Sequence, residues 1–301
     1  MNIQGRDKPS KEGEETVAAP TGYFRPETVA EAVEHLAAAP STVVAGCTDY
    51  FPDLRDGPSR GRIVDITGIR NARGVEDAGD HFRIDFLTTW TDVVRTDLPA
   101  YFDALKQSAV EVGSIQIQNA ATIVGNLCNA SPAADGVPPL LALDAEVELS
   151  SLAGTRTMPL AAFITGNRQT ERRPDELMTA ILVPKPAGRS TSSFLKLGSR
   201  TYLVISIVMV ATVLKDDGTG HVRRARISVG SCSVVARRLE ALEAALAGQP
   251  LAPGLGAIAT TDHLDVLSPI DDIRATADYR REAALTMVRR TLDTAAGGFH
   301  A

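Results

Sequence analysis

Cysteine is scarce in this 301-residue chain, and the three present, Cys47, Cys128 and Cys232, stand far apart with no CxxC spacing. That spacing excludes an iron–sulfur or zinc centre built within the chain and suits an intracellular protein with reduced thiols. Histidine pairs at metal-ligand spacing are also missing, because His35, His81, His221, His263 and His300 are all isolated. There is no excess of basic charge: the formal net charge is -6, which argues against a nucleic-acid groove. No apolar run reaches the roughly 20 residues a bilayer span needs. The longest, "YLVISIVMVATVL" at 202–214, is rich in β-branched residues and reads as a buried strand. The first eighteen residues are polar and contain no apolar h-region, so the reading is a disordered leader rather than a signal peptide, and a cytoplasmic protein without membrane insertion.

What is present is ordinary globular composition, 44% hydrophobic and 23% charged, without internal repeats. Three regions follow one another. In the first, "PETVAEAVEHLAAA" (26–39) has helical spacing with Pro26 suited to an early helix position. "STVVAGCTDY" (41–50) predicts a buried strand running into a turn at Gly46, and "RIVDITGI" (62–69) a second strand, together a small α/β unit. The second region, from about residue 73, predicts strand and helix in "DHFRIDFLTTWTDV" and a helix ending at Gly113. It then predicts a hairpin of "EVELSS" and "TRTMPL" around "LAG", and a strand closed by Pro184. The third predicts long strands around the turn "KDDGTG", an amphipathic helix stopped by Gly248, and a closing helix in "DIRATADYRREAALTMVRRTLDTA" with basic residues toward its end.

One stretch fits none of these elements. "NAATIVGNLCNASPAAD" (119–135) is polar, rich in small residues and nearly uncharged. Small side chains and bare N–H groups in such turns leave room for, and hydrogen-bond, phosphate oxygens. "AGCTD" (45–49) offers a second turn of this kind, and the two could cradle one dinucleotide, although loops containing glycine are more often only loops.

The combination resembles the FAD-binding subunit of the molybdenum hydroxylases, the xanthine dehydrogenase and aerobic carbon monoxide dehydrogenase family. That family's first turn, A-G-G-T-D, is matched by Ala45-Gly46-Cys47-Thr48-Asp49. Its second signature, near I-R-N-x-A-T-I-G-G-N-I-x-N-A-S-P-A-G-D, is matched from Ile117 to Asp135 and followed by "LLALDA". "FLKLGSR" resembles its F-x-K-x-x-x-R, with Phe194, Lys196 and Arg200 in place. The resemblance implies an α+β fold: a two-subdomain FAD-binding domain of the PCMH type over 19–188 (subdomains about 19–72 and 73–188), then a C-terminal domain over 189–301 with an antiparallel sheet and helices. It implies FAD as cofactor, its diphosphate held by the amides of Ala45, Gly46, Cys47, Thr48 and Asp49 and of Thr122, Ile123, Val124, Gly125 and Asn126. Ser131 and Asp135 would lie near the ribityl chain or ring. Lys196, the implied catalytic residue, would stabilise negative charge on the reduced flavin. It further implies an electron-transfer role in an oxidoreductase, with an iron–sulfur subunit and a molybdenum-cofactor subunit as separate chains. The alternative is a diverged member, a stand-alone flavoenzyme or a flavin-free scaffold. It is motivated by departures from the pattern: Cys47 and Val124 replace glycines, Gln118 replaces an arginine, and an acidic residue is missing after Arg200. A valine in a turn needing positive φ would be strained.

Overall fold

The structure, a computed structural model, describes residues 22–54, 61–200 and 203–300. The leader expected over the first eighteen residues lies outside the described residues.

Three parallel strands, β1 (Gly22–Phe24), β2 (Ser41–Val44) and β3 (Arg62–Asp65), form the first sheet in the order β1-β3-β2. Between β1 and β2 the helix α1 (Val29–Ala38) buries Ala32, Val33 and Leu36 at i, i+1 and i+4, the stripe that packs an amphipathic helix on a sheet. Thr28 caps it by accepting from the Glu31 amide, so Pro26 stands before the cap and outside the helix. "RIVDITGI" is a strand only as far as Asp65, whose carboxylate accepts from the Thr67 amide and starts a single 3₁₀ turn instead. A short helix, α2 (Tyr50–Leu54), follows the Gly46 turn.

The second sheet is antiparallel and five-stranded, in the order β4-β5-β10-β6-β7: β4 (Val75–Asp77), β5 (His81–Asp85), β6 (Glu146–Ser151), β7 (Gly154–Pro159) and β10 (Leu177–Pro184). The β6–β7 hairpin turns at Leu152-Ala153, as read from the sequence. Between β7 and β10 lie α8 (Leu160–Phe163) and the small pair β8 (Ile164–Gly166) and β9 (Gln169–Thr170).

Five helices are inserted between β5 and β6: α3 (Trp90–Arg95), α4 (Asp103–Glu111), α5 (Ile115–Ala120), α6 (Ile123–Asn129) and α7 (Val137–Ala142). A reciprocal capping box between Thr89 and Asp92 opens α3. Gly113, at φ +49, follows the end of α4 as expected. The stretch read as a bare turn at 119–135 is largely helical here. Thr122 caps α6 by accepting from the Gly125 amide, and Ala130, at φ +46, ends it. These elements share one core, with Trp90, Phe102, Leu127, Leu149 and Ile181 almost wholly buried.

The C-terminal sheet is antiparallel, β11 (Ser190–Leu197), β12 (Val208–Asp216), β13 (Val222–Gly230) and β14 (Arg237–Arg238), and is covered by α9 (Glu240–Leu246) and α10 (Ala277–Gly297). In the β12–β13 turn the Asp216 carboxylate accepts from the amides of Gly218 and Gly220. Of the described residues of the apolar run, 203–214, only those from Val208 onward are strand; Leu203 sits at φ +55 and the chain reaches β12 irregularly. The closing helix begins only at Ala277, capped by Thr276, and runs on to Gly297. Arg289 and Arg290 lie in its C-terminal half, as expected, although its last turn holds no basic residue.

Candidate functional site

The first and second units meet around an open cavity of about 610 Å³. Its size lies within the roughly 300–1,000 Å³ typical of cofactor sites. One wall is β2 with the turn that follows it, Ser41 to Tyr50. Facing it are Thr122, Val124, Gly125 and Asn126 of the α6 start, with Phe86, Trp90 and Met178 contributing apolar surface.

Gly46 owes its identity to packing. A Cβ there would fall 1.9 Å from the Ala120 carbonyl oxygen, so the first turn rests directly on the backbone joining α5 to α6. The next residue, Cys47, adopts the left-handed conformation at φ +57. Its thiol donates to the Ala45 carbonyl at 3.3 Å, and burial, with the nearby Asp65 carboxylate adding to it, pushes its pKa up, so the thiol is protonated and a poor nucleophile. The left-handed conformation is unfavourable for a residue with a Cβ, by about 1–2 kcal/mol. Cys47→Gly is therefore expected to stabilise the protein by about 1 kcal/mol once glycine's extra chain entropy is subtracted, read as a higher midpoint in a thermal melt.

The two glycine segments differ in what their amides do. Among the described residues, the backbone N–H groups of Gly46, Cys47, Thr48 and Asp49 have no acceptor in the chain. With a left-handed residue among them, they form a concave nest of the kind that binds anions. In the second segment Ile123 N donates to the Thr88 carbonyl, Gly125 N to Thr122 Oγ1 and Asn126 N to the Thr122 carbonyl. Among the described residues, the Thr122 and Val124 amides are left over. Val124 itself is helical and 5% exposed, so the strain considered for a valine at this position does not arise; the positive φ falls on Cys47 instead.

Ala45, Gly46, Cys47, Thr48, Asp49, Thr122, Val124, Gly125 and Asn126 thus line one cavity, whereas Ile123, Ser131, Asp135 and Lys196 do not. Ile123 is fully buried in the core. Lys196 is also buried: its Nζ donates to Asp135 Oδ2 at 3.0 Å and to the Glu111 carbonyl at 3.1 Å, while Asp135 Oδ1 accepts from Ser206. Burial raises the Asp135 pKa, opposed by the Lys196 charge. The pair lies one residue from the cavity wall, because Val112, which follows Glu111, lines it.

Trp90 and Arg172 are among the lining residues that escaped the sequence reading. Trp90 is fully buried and its Nε1 has no hydrogen-bond partner, an orphaned donor in the cavity wall. Arg172, from "ERRPDELMT" ahead of β10, brings a cation to the cavity. Neither carries a local signal beyond its residue type. Among the described residues no cluster of histidine, cysteine or carboxylate side chains could hold a metal ion. No helix among them is long and apolar enough to cross a membrane.

Comparison with known proteins assigns this architecture. Residues 17–186 match the model of the FAD binding domain in molybdopterin dehydrogenase, and residues 193–295 that of the CO dehydrogenase flavoprotein C-terminal domain. The chain belongs to the FAD-binding subunits of the molybdenum hydroxylase family. Among these subunits, the putative xanthine dehydrogenase FAD-binding subunit of Escherichia coli K12 is 31% identical over 285 residues, covering 92% of this chain and 97% of that protein. The nicotinate dehydrogenase FAD-subunit of Eubacterium barkeri is 32% identical over 237 residues, 76% of this chain and 80% of its own. Carbon monoxide dehydrogenase from Hydrogenophaga pseudoflava, in a form lacking the Mo-pyranopterin moiety of its cofactor, superposes with a TM-score of 0.84 at 28% identity. That match covers 94% of this chain and 99% of the other. As a molybdenum hydroxylase FAD-binding subunit, the chain is an oxidoreductase component whose cofactor is FAD. The bare amide nest, the orphaned Trp90 donor and the cavity's size fit such a dinucleotide.

Proposed function

We propose that this chain is the electron-transfer component of a cytoplasmic molybdenum-containing dehydrogenase whose iron–sulfur and molybdenum-cofactor subunits are separate chains. The observation that carries the reading is the cavity itself: four acceptor-free amides from Gly46 to Asp49 face a wall of small and apolar residues across a dinucleotide-sized space. When bound, FAD supplies the redox chemistry that links iron–sulfur clusters to an external acceptor. The amides of Gly46 to Asp49, joined by that of Val124, hold the diphosphate, while Trp90 and Phe86 keep water from the apolar part of the cavity. Lys196 is buried against Asp135 and acts on the flavin as part of an ion pair rather than as a lone cation.

The test is to purify the chain with its co-expressed genomic neighbours and titrate FAD. One flavin per chain and co-purification of two further subunits are expected. A colourless protein that takes up no added FAD would make it a flavin-free scaffold, and a flavoprotein that purifies alone would make it a stand-alone flavoenzyme. Within the flavin-loaded protein, Lys196→Ala should lower the flavin midpoint potential, since it removes the positive member of the pair, and Asp135→Asn should raise it. Redox titration of both variants in one buffer checks this; shifts of the same sign, or none at full occupancy, would remove the pair from any tuning role.

A further inference from the structure

Three arginines stand close in sequence beside the cavity, and among the described residues one of them has no carboxylate partner. Arg168 is held by Asp53 at 3.2 Å and by Asn129. Arg173 pairs with Glu176 at 2.8 Å, and Glu176, its side chain 1% exposed, is also held by Arg156 at 2.6 Å. Among the described residues Arg172 makes no ion pair. Its Nη1 donates to the carbonyls of Glu176 (2.6 Å) and Arg173 (3.3 Å), which fixes the guanidinium and leaves Nε and Nη2 uncommitted.

Arg172 is also the one arginine, lysine or histidine lining the cavity among the described residues. Its charge reaches the thiol of half-buried Cys128, another lining residue, and works against the burial that raises that thiol to about 11. Of the lining carboxylates, Asp53 and Glu176 are engaged by other arginines, and no ion pair joins Asp49 to Arg172. A half-buried cation with a fixed fork and free N–H groups, in a cavity that already holds an anion-binding nest, has no counter-charge among the described residues.

We propose that Arg172 supplies a charge-assisted clamp on a phosphate of the dinucleotide, complementing the amide nest of Gly46 to Asp49. This rests on the FAD reading given above and adds to it a residue with a stated partner group. A lysine could supply the charge but not the planar fork.

The experiment uses full-length apo-protein, with FAD binding followed by quenching of flavin fluorescence and ADP binding by competition against FAD. Charge-assisted hydrogen bonds contribute about 1.5–3 kcal/mol, and 1.4 kcal/mol is tenfold in affinity. Arg172→Gln is therefore expected to weaken both FAD and ADP by about 10- to 100-fold, and Arg172→Lys by less. The FAD affinity of the glutamine variant should also fall less steeply with salt. Thermal melts of the apo forms should coincide, because the carbonyls that Arg172 touches lie in a turn that Glu176 already holds. FAD and ADP affinities within twofold of wild type overturn the proposal. So does loss of FAD binding with ADP unchanged, which would put Arg172 on the flavin half. Wild-type protein that binds neither FAD nor ADP overturns the cofactor reading itself, and is distinguishable because no variant is needed to see it.

Discussion

Gly46→Ala is expected to unfold the cavity wall, not merely to empty the cavity. The added methyl would sit 1.9 Å from the Ala120 carbonyl oxygen and 2.6 Å from its carbon, and neither is a side-chain end that can swing aside. Overpacking of this kind typically destabilises by about 1–3 kcal/mol and occasionally more; a clash with backbone belongs at the upper end. Relief requires separating β2 and its turn from the α5–α6 junction, whose Ala121 and Ile123 pack into the same core as Trp90. Flavin binding and apo-protein stability should thus fall together, whereas a glycine needed only for close approach of a ligand would lose binding first. Gly125→Ala supplies the contrast. A Cβ at Gly125 meets only the Thr122 hydroxyl, at 2.8 Å, and displaces it from its capping role. The loss there is the value of one N-cap, about 1 kcal/mol. Thermal melts of the two apo variants, with FAD titrations alongside, decide the matter; an apo Gly46→Ala protein that melts with wild type would show that the turn stands off Ala120.

The contrast shows where sequence reading reaches and where it stops. Glycine in "AGCTD" is legible as a special backbone position, but the reason for it lies at Ala120, 74 residues onward, and a linear pattern holds no record of that contact. The signatures carried over by resemblance drew two opposite parts of the cavity lining from distant segments. They did not reveal that α6 consumes three of its own amides, or that strain falls on Cys47 and spares Val124. Local patterns were reliable where the physics is local: the β6–β7 hairpin, the strand closed by Pro184 and the Gly248 stop after α9 depend on neighbours in sequence. Elements whose limits depend on tertiary partners were misjudged. The apolar residues before Val208 read as strand but are drawn out of it, and "DIRAT" reads as helix but is a turn. A single buried arginine touches both places.

That arginine, Arg280 on α10, is 3% exposed and is held by three segments at once. Its Nη1 donates to the carbonyls of Ile207, just before β12, and Ser231, just after β13; its Nη2 donates to Asp272 Oδ1 at 2.8 Å. Asp272 is the keystone of the turn ahead of α10. It accepts from the Arg274 and Ala275 amides and from the Arg274 side chain, so "DIRAT" bends round a carboxylate and cannot continue the helix. Burial acting alone would raise the Asp272 pKa, but these hydrogen bonds and the two guanidiniums outweigh it and hold the carboxyl well below the usual carboxylate range. Asp272→Asn keeps the shape and deletes the charge, leaving Arg280 buried without a counter-ion. Breaking a buried pair in this way destabilises by about 3–5 kcal/mol, and the partial exposure of Asp272 argues for the lower end, about 3 kcal/mol. The effect has a sign in pH. A carboxyl whose folded pKa is depressed contributes its full stability above the unfolded value of about 4, and that contribution is lost as pH falls through the folded pKa. The gap between wild type and Asp272→Asn should therefore be constant from about pH 6 to 8 and narrow progressively below about pH 4. Urea unfolding of both proteins at neutral pH and again near pH 3 measures it. A gap of the same size at both pH values would mean that the aspartate acts through shape alone, and a wild-type stability at neutral pH would mean that Arg280 is held by its carbonyl partners without help from the charge.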